Sequence, residues 1–215
     1  SLLLLGLLAA YILKLKNFSS QLNNPFWIHL LSYMNLGACS LNLATLTTRF
    51  VFPQFSLEGK RLWIVGMAPL GLNKVIRIKY TLACLVSMAI TGTLIFTSCR
   101  LLKMPAPQIA YFTLVIAFMT LTLNGLAMGL GVIYPNFKED NPSKIVSGFG
   151  GTFCLVLSFL YIVGGISLLA LASPWRDHQQ IWIIASGWTC FTVLSLVLGY
   201  LPYHIGVRRL RHLEI

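Results

Sequence analysis

The residues able to do chemistry in this chain are few and scattered. The four histidines, His29, His178, His204 and His212, stand at spacings that give no metal-ligand set. The cysteines Cys39, Cys84, Cys99, Cys154 and Cys190 are far apart and form no CxxC pair, so they read as small apolar packers rather than a zinc knuckle or a disulfide framework. A phosphate-binding loop requires GxxxxGK[ST]. Here Gly59-Lys60 is followed by Arg61 and lacks the earlier glycine, which closes that route to ATP. There is no HExxH, and no serine or cysteine sits in a nucleophile motif with a recognisable base. The expectation is a chain that is not itself an enzyme and holds no metal or cofactor.

The elements that carry these residues are apolar. Of 215 residues, 57% are hydrophobic and 10% charged, with a mean hydropathy of +0.79. That charge content is less than half of the roughly 25% of a soluble domain, which excludes disorder, a nucleic-acid-binding domain and an ordinary soluble enzyme. The net charge of +11 points to anionic headgroups rather than nucleic acid, because the basic residues lie between long apolar blocks.

Six such blocks are visible: residues 2–13, 25–48, 80–99, 108–134, 147–172 and 181–202. The last five reach the roughly 20 residues a spanning helix needs, and the strict alternation of barrel strands is absent. The first is short, so residues 1–15 read as an incomplete first span of a longer protein. The expected fold is all-α: a single transmembrane domain over residues 1–215 with about six spanning helices. If the C-terminus is cytoplasmic, residues 49–79, residues 135–146 and the tail fall inside with eleven basic residues, against five outside. The complete spans hold no Asp, Glu, Lys or Arg in their interiors, so coupling to an ion gradient has no evident carrier.

Residues 49–79 are more than a plain loop. Ser56 can cap a helix with Glu58 in its first turn, and Pro69 and Gly71 would end it. The reading is a short interfacial helix between spans two and three, with a basic juxtamembrane linker as the bland alternative. The segment Asn136–Lys144, with Lys138, Glu139 and Asp140, is either a solvated turn or a docking loop. Gly125 and Gly129 form a GxxxG, and Gly148 and Gly151 open the fifth span. All four read as helix-packing positions. Asn35, Asn42 and Asn124 lie at membrane depth and read as interhelical hydrogen-bond partners.

Two segments carry a resemblance. SLEGKRLWIVGMAPLGLNKVIRIKY and NGLAMGLGVIYPNFKEDNPSKIVSGFGG resemble parts of bacterial ABC-2-type exporter permeases, over about a quarter of the chain. The resemblance implies a multi-pass permease subunit of an ATP-driven exporter in the bacterial cytoplasmic membrane, possibly the C-terminal half of a longer protein. Its partners would be a separate ABC ATPase subunit, which carries the ATP hydrolysis, a second permease half or a homodimer, and membrane lipids. A coupling helix over residues 56–69 would bear Glu58, Gly59, Lys60, Arg61 and Trp63, with Lys138, Glu139 and Asp140 as the second contact. The alternative is a non-transporting structural subunit that packs lipid or pigment in a larger complex.

Overall fold

A computed structural model of the chain describes residue 6 and residues 25–59, 71–175 and 181–211. The described residues form helices and turns, with no strand among them. The helices are α1 (Pro25–Leu46), α2 (Gln54–Leu57), α3 (Gly71–Leu101), α4 (Ala106–Ile133), α5 (Pro142–Ser147), α6 (Phe149–Leu171) and α7 (Ile181–Arg211). A π-helical turn, Thr47–Val51, follows α1 and is closed by the Phe52 N–H donating to the Thr47 carbonyl at 3.1 Å.

Four helical stretches are long and apolar enough to cross a membrane: Lys74–Leu101, Ala106–Ile133, Phe149–Leu171 and Ile181–Arg208. By that measure the chain is a membrane protein. The expected count of about six is not reached among the described residues. The first block lies outside them apart from Gly6, and the last block, 181–202, is one of the four, in a helix that runs on to Arg211 with Pro202 inside it. Helices in apolar surroundings tolerate such a proline when neighbouring helices support the opened turn. Helix α1 stays outside the four because its described part carries His29, Asn35, Asn42 and several hydroxyl residues among its leucines.

Helix α4 is the hub. Residues Thr122 to Val132 are all buried, and Val115, Ile116, Met119, Leu123 and Leu126 are fully enclosed. A helix apolar all round belongs inside a bundle, and here α1, α3, α6 and α7 surround it. Its junction with α7 is made backbone to backbone. A Cβ at Gly125 would lie 2.6 Å from the Gly199 carbonyl oxygen, and one at Gly129 would fall on the backbone of Pro202 and Tyr203. Gly206 in turn sits over the Gly129 carbonyl.

The outer faces of α3 and α6 expose large apolar side chains such as Leu85, Val86, Phe159 and Leu160, as a lipid-facing surface requires. The end of α1, the start of α3, the end of α4, the start of α6 and the end of α7 share one end of the bundle. Arg49, Lys74, Arg77, Lys79, Lys138, Lys144 and Arg208 belong to this basic end, and Arg100 and Lys103 to the opposite one.

Candidate functional site at the basic end

The site is built where the connection after α1 meets the connection after α4. The π-helical turn swings the chain inward so that Phe52 and Phe55 are buried. The Phe52 carbonyl packs on Gly131, where a Cβ could not stand, and its ring lies against Gly150 at the start of α6. Thus one phenylalanine holds three elements together, and two glycines make room for it.

Helix α2 is a single turn flanked by Pro53 and Glu58. Ser56 lies within this turn rather than capping a longer helix, and its Oγ accepts a hydrogen bond from the Asn136 N–H at 3.1 Å. Phe55 meets Phe137 with ring centroids 5.9 Å apart, and Gly59 lies so close to the Phe137 ring that a Cβ there would fall on it. Glu58 pairs with Lys79 on the third turn of α3, with both side chains about a quarter to a third exposed, at 31% and 26%. Glu58 and Gly59 are thereby fixed to α3 and to the α4–α5 connection at once.

That second connection is ordered by its own polar groups. Asn136 Oδ1 accepts from the Lys138 N–H at 3.2 Å, and Asn141 Oδ1 accepts from the Ser143 N–H at 3.0 Å to cap α5. Glu139 pairs with Lys144 at 3.5 Å in an exposed position. Lys138 and Asp140 are exposed. Lys60, Arg61 and Trp63, with the rest of the 56–69 segment beyond Gly59, lie outside the described residues.

The glycines singled out by sequence fall into two groups. Gly125 and Gly129 are at the α4–α7 crossing. Gly148 is the junction between α5 and α6, and Gly151 lies against the Val146 carbonyl of α5. The asparagines also divide. Asn124 Nδ2 donates across to Ser87 Oγ of α3 at 2.7 Å and to the Thr120 carbonyl at 2.8 Å. Asn35 and Asn42 are buried on α1 with neither amide atom hydrogen-bonded, so the interhelical bonds expected of them are not made. Sequence reading missed Phe137 and Lys79, whose only sign was that each stands in a segment already marked as basic or loop-like. Among the described residues no group of His, Cys, Asp and Glu could hold a metal ion.

What this arrangement can do is mechanical. It joins the α1–α3 connection, the α4–α5 connection and the early turns of α3 into one contact.

A family model described as "Putative ATP-binding cassette" matches residues 1–215. No curated protein and no solved structure matches the chain. The match corrects the resemblance drawn above. Two segments covering a quarter of the chain pointed to the ABC-2-type exporter permeases, whereas the match over the whole length is to a cassette family. The assignment as a permease subunit of such an exporter falls with it, and the alternative of a non-transporting structural subunit gains no support. A chain matched from its first residue to its last, with its basic end drawn into one joint, belongs to that ATP-binding cassette family.

Proposed function

We propose that this chain is a membrane-embedded helical domain of an ATP-binding-cassette protein, and that nucleotide hydrolysis takes place outside these 215 residues. The observation that carries the reading is the pairing of a cassette-family match over the full length with four membrane-length helices and a sequence lacking the phosphate loop. The excess of Lys and Arg at the basic end supports a cytosolic position for that end and for the C-terminus.

In this reading a hydrolytic subunit and a second helical bundle are the partners, and the bilayer is bacterial. The hydrolytic subunit docks on Glu58, Gly59, Lys60, Arg61 and Trp63, and on Lys138, Glu139 and Asp140. Displacement of Glu58 and Gly59 passes to α3 through Lys79 and to α4 through Phe137, because those are the groups they touch. Coupling of this kind requires a joint stiff enough to move as a unit, which the buried rings of Phe52 and Phe55 provide beneath the exposed Phe137.

The test is purification of the chain alone and of its assembly from native membranes. The isolated chain is expected to bind no fluorescent nucleotide and hydrolyse none, while the assembly hydrolyses ATP at a rate that changes in Phe137→Ala. Hydrolysis by the isolated chain, or an assembly without ATPase activity, overturns the proposal. Labelling of Lys138→Cys from the cytosolic side alone checks the orientation.

A further inference from the structure

Between the π-helical turn and α3 lies a cleft of about 560 Å³, within the several-hundred-Å³ range of small-ligand sites. Its walls are Leu46, Phe50, Val51, Leu82 and Val86. Its polar groups include Gln54 and Lys79 at the basic end and Ser87 deeper along α3. On α3 the lining runs from Lys79 to Ile90, about 16 Å of helix, which is close to the ~15 Å half-thickness of a bilayer's hydrocarbon core. The cleft opens beside Leu82, Leu85 and Val86, all exposed on the outward face of α3. A slot one leaflet deep, apolar along its length and cationic at its mouth, has the polarity of a single phospholipid.

The charge balance at the mouth selects the headgroup. Lys79 lines the cleft, and Lys74 and Arg49 are exposed at the same end of the bundle, whereas Arg77 faces Tyr203 of α7. Against these stands Glu58, paired with Lys79. The Gln54 Oε1 is buried with no hydrogen-bond donor, and a headgroup hydroxyl would supply one. We infer that the cleft holds one acyl chain of an anionic glycerophospholipid with a hydroxyl-bearing headgroup, its phosphate competing with Glu58 for Lys79. Lipid occupancy and the Glu58 contact are then linked, since one ammonium serves both.

The experiment places the full chain in phosphatidylcholine nanodiscs containing a trace of diazirine-tailed phosphatidylglycerol or diazirine-tailed phosphatidylcholine, and maps the labelled peptides. The expected result is a several-fold excess of phosphatidylglycerol label at Phe50–Val51 and Leu82–Ile90. The outward face of α6, at Leu155, Val156, Phe159 and Leu160, should take both lipids equally. Lys79→Gln should bring the cleft ratio down to that of α6, and Val86→Trp should lower cleft labelling without changing α6. Glu58→Gln should raise phosphatidylglycerol labelling, a gain that misfolding would not produce. Equal labelling of cleft and α6 by both lipids overturns the proposal. So does disulfide pairing of two Val86→Cys copies through the cleft in place of lipid label. No nucleotide enters the readout, so a negative result here leaves the assignment to a cassette system untouched.

Discussion

The two flanks of α4 are built on opposite principles. On one side α7 approaches until backbone touches backbone, with Gly125, Gly129, Gly199 and Gly206 clearing the path and Pro202 seated on Gly129. On the other side, α1 and the π-helical turn stand off from α3 far enough to leave a cleft, and α1 buries Asn35 and Asn42 without hydrogen bonds. In a bilayer the solvent is as apolar as leucine, so association rests on close packing and on bonds between polar groups. The α4–α7 side has the first in full. On the α1–α3 side α3 is bonded to α4 through Asn124–Ser87 and Thr91–Thr120, but Asn35 and Asn42 of α1 make no such bond, and this is the side that carries the Glu58–Lys79 joint. The two flanks of α4 are therefore held to different tightness.

The comparison can be broken most sharply at the tight flank. Gly129→Leu forces a side chain into the backbone of Pro202 and Tyr203, and overpacking of this kind costs about 3 kcal/mol or more where backbone has to shift. The expected outcome is loss of a monodisperse peak in detergent and a large drop in melting temperature. A melt unchanged by this variant would remove the distinction between the flanks.

At the looser flank the sign reverses. Asn42→Leu replaces two unbonded buried polar atoms by an apolar group of similar size, and should stabilise by about 1–2 kcal/mol. Thermal unfolding in detergent reads this directly, and a loss of stability would mean that Asn42 is bonded in the bilayer. Asn124→Leu, by contrast, removes a made bond to Ser87 and should cost about 1 kcal/mol in the same assay. The smallest effect is at the joint itself. Glu58→Gln breaks an ion pair that is partly exposed on both sides, so its cost in stability is below about 0.5 kcal/mol. That variant should therefore separate function from folding, with coupling altered while the melt stays near that of the parent chain.

Much of the bundle was legible in the apolar blocks, because a helix in lipid must be apolar over its whole length and such runs are visible in sequence. The spanning count was less legible. Block 25–48 is as long as the others, but His29, Asn35 and Asn42 make its helix less apolar, and only the structure shows that it packs against α3, α4 and α6. Gly125 and Gly129 stood out by their spacing. Their partners Gly199, Pro202 and Gly206 follow a helical stripe of their own that the sequence also displays.

The joint could not be read. Phe137 and Gly59 are far apart in sequence, and nothing local to either one names the other. A loop-and-glycine pattern shared over a quarter of the chain says less about family than a match along all of it.

The π-helical turn at Thr47–Val51 makes length as well as composition matter at this point of the chain. One residue more or less rotates everything after it by about 100°. Removing a single residue, Thr48 for example, would turn Phe52 away from Gly131 and Gly150 while leaving the hydrophobicity of the segment almost unchanged. Such a deletion would be silent to any count of apolar residues, yet it would point the α1–α3 connection in a different direction.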